Sequence, residues 1–366
     1  MTVDAHTARD AELVQLLTPE GERLEHPDYP LSLSDQQLRD LYRDLVVVRA
    51  LDLESVALTR RGELGLWPSL LGQEAAQVGS GRALGAGDMV FPTYREHAVA
   101  YCRGMPWLNI LRLFRGVNHA GWDPKEFGFH LYTIVIGTQT LHATGYAMGI
   151  QRDGHHGTGI GDTALAYFGD GATSQGDVNE SFVWAAVYNA PIVFFCQNNQ
   201  WAISEPLERQ TRIPLYRRAQ GFGFPGVRVD GNDVLACLAV TRRALDRART
   251  GQGPSLIEAF TYRMGAHTTT DDPTRYRHSD ELEAWKLKDP IARVKAYLSR
   301  TGLANAQFFE EVDVQAAEAA VELRAACLAL PDPSPDALFQ HVYAAPHRLL
   351  EEERAAYETY LAGFHD

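Results

Sequence analysis

The stretch ALAYFGDGATSQGDVNESFVWAAVYNAPIVFFCQNNQWAIS, residues 164–204, decides how the chain is read. ALAYFG (164–169) has the length and apolar content of a buried strand. PIVFFCQNN (191–199) reads as a second buried strand, rich in β-branched and aromatic residues. Between them, SQGDVNESFVWAAVYN (174–189) reads as a helix stopped by Asn189 and Pro191. Downstream the plan repeats: VRVDG (227–231), then NDVLACLAVTRRALDRAR (232–249), then SLIEAFTYR (255–263). Two strand–helix–strand units predict a doubly wound α/β fold, a parallel sheet with helices on both faces.

Working outward, Ser34 opens a capping box, S-D-Q-Q, in which Ser34 and Gln37 can satisfy exposed amides reciprocally. Leu38, Leu41, Tyr42, Leu45 and Val46 share one face behind it, so an amphipathic helix is expected to about Arg61. Segments 72–88 and 136–150 are helix-compatible, with Gly and Ala placed for close packing. Residues 1–33 carry Pro19, Pro27 and Pro30 and read as an extended N-terminal arm. C-terminal helices are expected at 281–300, 309–330 and 347–362, with a break at PDPSPDA (331–337). The expected organisation is an arm (1–33), an α/β domain (34–330) and a helical tail (331–366).

With 45% apolar and 22% charged residues the composition is that of an ordinary globular protein. Forty-seven acids against 34 bases give a formal charge of −13, which disfavours nucleic acid as a partner. No stretch reaches the apolar length of a membrane span, and the first residues lack the pattern of a secretory signal. Cys102, Cys196, Cys237 and Cys327 show no CxxC or zinc-like spacing and read as reduced thiols. The expected location is cytoplasmic. Cys196 lies in a core run and is no nucleophile candidate; His6, His155, His156 and His365 read as surface residues.

Chemistry concentrates in GDGATSQGDVNESFVWAAVYNAPIVFFCQNNQWAIS (169–204). Asp170 stands just past the first strand, and Asn198 and Asn199 just past the second. In open parallel sheets ligands bind beyond the carboxyl ends of strands, so these groups can converge. Gly169 and Gly171 let backbone amides approach an anion, and the helix starting near Ser174 adds a favourable dipole. A carboxylate with a neutral amide oxygen suits magnesium sharing its shell with phosphate oxygens. These residues alone therefore predict a magnesium–diphosphate site.

GDG, a strand–helix–strand unit and a closing NN together resemble the thiamine-diphosphate signature of the 2-oxoacid dehydrogenase family. LLGQEAAQVGSG, VFPTYREHAVAYCRG, QNNQWAIS, VRVDGNDVLA and GAHTTTDDPTRYR extend the resemblance, to the alpha subunit of the heterotetrameric decarboxylating component. It implies the thiamine-diphosphate-binding fold and an α2β2 assembly with a beta subunit. It also implies cofactor held between the two chains and a lipoyl acyltransferase core as the acceptor of the acyl group.

Residue by residue, the resemblance implies magnesium held by Asp170, Asn199 and the carbonyl of Trp201, a position usually Tyr or Phe. It implies that Tyr94, Arg95, Gly169, Gly171 and Ala172 hold the diphosphate. Ile136 would support the cofactor between its rings, with Ile203 also in contact. His267 would stand near the diphosphate on a mobile loop (265–277) and serve as a catalytic acid–base, and His119 would be a second catalytic histidine. Thr268 aligns with a serine that is phosphorylatable in some relatives. Tyr94–Arg95 rests on this match, since an isolated Arg is commonly a surface ion-pair partner. Asn198 can be a turn residue only.

The implied reaction is oxidative decarboxylation of a small 2-oxo acid with transfer of the acyl unit to a lipoyl group. Pro68, Ser69 and Leu70 stand where some relatives carry a histidine before GQEA, which leans the substrate towards branched-chain 2-oxo acids over pyruvate. A pyruvate dehydrogenase alpha subunit and an acetoin- or transketolase-like enzyme are the neighbouring readings. A scaffolding subunit that keeps the fold without the site is the reading from another class.

Overall fold

A computed structural model of the chain describes residues 13–117, 121–154, 162–340 and 342–364. The strands are β1 (Leu13–Val14), β2 (Met89–Phe91), β3 (Ala164–Gly169), β4 (Ile192–Asn198), β5 (Trp201–Ala202), β6 (Glu205–Pro206), β7 (Gly226–Asp230) and β8 (Ser255–Phe260). Six of them form one parallel sheet in the order β1-β7-β8-β4-β3-β2, while β5 and β6 make a small antiparallel pair.

Because side chains alternate along a strand, the two central strands feed two cores. Leu165, Tyr167, Val193 and Phe195 join one cluster with Val78 and Val240 from the helices Glu74–Gly81 and Val234–Arg249. Ala166, Phe168, Phe194 and Cys196 join the other with Ala147 and Phe182, from Thr138–Arg152 and Gly176–Tyr188. Helices thus cover both faces, and the strands can be apolar at every position. This is the doubly wound arrangement expected.

The first long helix, α1 (Asp35–Arg60), begins at Ser34 with both hydrogen bonds of the capping box present. A second long helix, α2 (Ala306–Leu328), packs along it. The expected helix 281–300 is instead two, Ser279–Lys286 and Pro290–Arg300. Asp289 caps the second through the amides of Ile291 and Ala292, and Pro290, lacking an N–H, suits only a first turn. Residues 1–12 of the expected arm lie outside the described residues. The rest of the arm joins the body at β1, beyond which Leu16 and Leu17 are buried and donate their amides to Asp233 Oδ2 at 2.6 Å each. The tail helix Arg348–Ala362 buries none of its residues. Among the described residues no helix is long and apolar enough to cross a membrane.

Candidate active site

The strand β2 runs into Thr93–Glu96, β3 ends at Gly169–Asp170, and β4 leads into Asn199–Ile203. Since these strands are neighbours in a parallel sheet, their carboxyl ends open on one space. That space is a cavity of about 230 Å³ lined by Gln73, Thr93, Tyr94, Arg95, Glu96, Ile136, Gly169, Asp170, Gly171, Ala172, Gln175, Gln197, Asn199, Trp201, Ala202, Ile203 and His267. The fold therefore brings Tyr94, Arg95, Ile136, Gly169, Asp170, Gly171, Ala172, Asn199, Trp201, Ile203 and His267 to a single cavity. His119 lies outside the described residues, as do His6, His155, His156 and His365.

Asp170 is buried, which pushes its carboxyl up to about 6 despite a hydrogen bond from Gln210 Nε2 at 2.9 Å. Among the described residues no Lys or Arg forms a salt bridge with it, and the attraction of Arg263 only partly offsets the burial, so a cation bound beside it would favour its charged form. Asn199 takes the amide of Trp201 on Oδ1 at 3.3 Å and gives Nδ2 to Gln73 at 3.1 Å. The Trp201 carbonyl accepts from Arg263 Nη1 at 3.1 Å, leaving one lone pair free. One carboxylate, one amide oxygen and one backbone carbonyl form an all-oxygen donor set that fits magnesium. Among the described residues no cluster of three or more His, Cys, Asp and Glu stands in metal-binding proximity. A set with a single acid does not form one.

Gly171 owes its identity to packing: a Cβ there would lie 2.7 Å from that of Ala202. At Gly169 a Cβ would meet no protein atom within 4 Å, so protein packing requires glycine at Gly171 and leaves open space beside Gly169. The helix after the GDG turn also starts later than expected. Residues Asp170–Ser174 form a 3-10 turn and the α-helix opens at Gly176.

Arg95 is buried, with Nη1 on the Ser69 carbonyl at 2.6 Å and Nη2 on the His267 carbonyl at 2.9 Å. Its corner is built by Glu96, whose Oε2 takes the amide and hydroxyl of Thr93 at 2.6 and 2.7 Å and whose Oε1 takes Gln197 Nε2 at 2.6 Å. Burial raises the Glu96 carboxyl, and the hydrogen bonds from Thr93 work against the rise.

Burial, then the guanidinium groups of Arg95 and Arg263, push the His267 imidazole down to about 3. Nδ1 lies 3.3 Å from both cations and can only accept, so the ring is neutral with its hydrogen on Nε2. The loop around it, expected to have little apolar anchorage, is held by polar contacts. His267 N donates to Asp271 at 2.8 Å, Thr269 N to Trp67 O at 3.0 Å, and Arg277 to the carbonyls of Arg263, Met264 and Gly265.

Five residues that shape the site were not anticipated: Gln73, Glu96, Gln197, Gln210 and Arg263. Gln73 sits inside the LLGQEA motif and could have been flagged. Glu96 and Gln197 likewise lie inside stretches already singled out, with Glu96 meeting Thr93 three positions away, whereas Gln210 meets Asp170 across 40 positions and Arg263 meets Trp201 across 62. Asn198 does not line the cavity; it is buried, holds Glu258 through Nδ2 at 2.7 Å and takes the Gln200 amide on Oδ1.

The family model for the dehydrogenase E1 component matches residues 42–329. The chain is 46% identical over 354 residues to the 3-methyl-2-oxobutanoate dehydrogenase subunit alpha of Mycobacterium tuberculosis (strain ATCC 25618 / H37Rv), an alignment covering 96% of this chain and 95% of that one. It is 40% identical over 303 residues to the pyruvate dehydrogenase E1 component subunit alpha of Staphylococcus aureus (strain MW2), covering 82% and 80%. A pyruvate dehydrogenase E1 component subunit alpha from Staphylococcus epidermidis is 39% identical over 303 residues, again covering 82% and 80%.

Proposed function

The chain belongs to the dehydrogenase E1 component family, and we propose that it is the alpha subunit of a component that decarboxylates a branched-chain 2-oxo acid and passes the acyl unit to a lipoyl group. The observation that carries this is the convergence of Asp170, Asn199, Arg95 and His267 on one cavity at the carboxyl ends of adjacent strands.

Thiamine diphosphate, when bound, supplies the electron sink that the loss of CO2 requires. The chain's own residues hold and orient it. Asp170, Asn199 and the Trp201 carbonyl bind Mg2+, which neutralises diphosphate charge. Arg95, whose Nη1 and Nη2 already rest on the Ser69 and His267 carbonyls, would offer the phosphates its positive charge and its remaining N–H groups, and Tyr94 with the amides of Gly171 and Ala172 would complete the cradle. Ile136 and Ile203 give the rings apolar support. His267 holds its proton on Nε2, where it can donate to a developing negative charge.

A beta subunit completes the site in this reading, and the surface supports it. Ile134 and Val135 beside the cavity residue Ile136 are exposed, as are Tyr146, Val183, Trp184, Val187 and Tyr188 on the paired helices Thr138–Arg152 and Gly176–Tyr188. Such a concentration of large apolar groups marks a protein-contact surface. The branched-chain preference draws on the longer, more identical match to the 3-methyl-2-oxobutanoate relative. It also draws on the absence of a histidine at 68–70, where Ser69 Oγ is turned to Asp52 at 2.5 Å.

The test is co-expression with the cognate beta chain, then 2-oxo-acid decarboxylation assays. A kcat/KM higher for 3-methyl-2-oxobutanoate or 4-methyl-2-oxopentanoate than for pyruvate is expected. A preference for pyruvate would overturn the substrate assignment, and no turnover of any 2-oxo acid would overturn the reaction.

A further inference from the structure

Gln73 occupies the N-cap position of the helix Glu74–Gly81, yet its side chain makes no capping hydrogen bond. A glutamine is not a favoured cap, and the neighbouring Gly72 amide is taken by Glu74 Oε2 at 2.9 Å. The side chain serves something else. It is 1% exposed and lines the cavity. Its Oε1 accepts from Asn199 Nδ2 at 3.1 Å, while its Nε2 is buried and has no partner.

The orientation of these two amides stems from a backbone group that cannot be turned round. The Trp201 N–H donates to Asn199 Oδ1 at 3.3 Å, so Nδ2 is the atom facing Gln73. Gln73 must then present Oε1 to it, and Nε2 is left over. A buried amide donor without an acceptor is costly unless a ligand supplies one.

Resting on the thiamine-diphosphate reading, we propose that Gln73 is a positioning residue for the metal and a binding residue for the anion. Oε1 fixes the Asn199 amide so that a lone pair of Oδ1 stays available to Mg2+. Nε2 donates to an oxygen of the diphosphate. One side chain from a helix N-terminus thereby links metal ligand and phosphate.

Two variants of the α2β2 tetramer separate the two halves of this role. Gln73→Met removes both the acceptor and the donor. Gln73→Glu keeps an acceptor for Asn199 and loses the donor. Thiamine diphosphate binding is measured by calorimetry in saturating Mg2+, and the Mg2+ concentration for half-saturation is measured at saturating thiamine diphosphate. Gln73→Met should weaken both by about tenfold or more, the scale of one hydrogen bond to a charged group. Gln73→Glu should weaken thiamine diphosphate binding but leave the Mg2+ requirement at or below that of wild type. Both variants should remain folded as cofactor-free tetramers, checked by thermal unfolding and size-exclusion chromatography. Wild-type affinities in folded Gln73→Met would overturn the inference alone, as would equal losses of both in Gln73→Glu. No thiamine diphosphate binding by the wild-type tetramer would overturn it together with the functional reading.

Discussion

Arg95 and His267 are joined twice: Nη2 of the arginine lies 2.9 Å from the His267 carbonyl oxygen and 3.3 Å from its Nδ1. One cation thus holds the backbone of the 265–277 loop and keeps the ring neutral. Burial is the larger cause of the low proton affinity of His267, and Arg95 is the next. Arg95→Met should raise the pH at which His267 loses reactivity towards diethylpyrocarbonate, read by peptide mass mapping. An unmoved profile would leave burial and Arg263 as the causes. Adding a diphosphate anion beside the ring should move wild type in the same direction, because opposite charge favours the protonated form.

Ile203 adopts φ +57°, a left-handed conformation that is unfavourable for a β-branched residue. Its carbonyl is held by Arg263 Nη2 at 2.8 Å and its side chain is 56% exposed. The strain is on the order of 1–2 kcal/mol, and little buried area would be lost on truncation. Ile203→Gly should therefore unfold no earlier than wild type, whereas thiamine diphosphate affinity should fall. A clear drop in thermal stability would mean that the segment is not strained.

His97 is fully buried, stacked on Trp67 at 4.2 Å, with Nε2 3.0 Å from the Pro68 carbonyl and Nδ1 2.6 Å from Tyr132 Oη. Burial pushes its pKa down to about 3. A base with a depressed folded-state pKa gives full stability above its unfolded value, and that stability is lost as pH falls. The window runs from about 6.5 down to about 3, with at most about 1.4 kcal/mol lost per pH unit. Denaturant unfolding of wild type and His97→Gln across pH 4.5–7 should show a steeper acid loss in wild type. Parallel profiles would contradict a buried neutral His97.

Val187 is 74% exposed on the helix that also exposes Val183, Trp184 and Tyr188. Val187→Glu should abolish co-purification of the beta chain while circular dichroism of the alpha chain is unchanged. Retained assembly would place the beta contact on another face.

Local features were legible in the sequence. The Ser34 capping box needs only residues 34–37, and the strand–helix–strand unit around Asp170 lies within one continuous stretch. The short edge strand β1 was not legible, because its pairing depends on β7 more than two hundred positions away. Gln73 and Asn199 meet across 126 positions and Gln77 and Gln197 across 120, so only the folded sheet reveals those amide pairs. Asp289–Pro290 carries the signal of a helix start, yet 281–300 is expected as one helix where the structure has two.

Binding of magnesium and thiamine diphosphate at the carboxyl ends of β3 and β4, through Asp170, is the claim on which the rest depends. Calorimetric titration of thiamine diphosphate into the α2β2 tetramer, with and without Mg2+, tests it most directly in wild type and Asp170→Ala. The predicted result is tight, Mg2+-dependent binding in wild type and none in Asp170→Ala, with both tetramers folded to the same extent. Undiminished Mg2+-dependent binding by folded Asp170→Ala would contradict it.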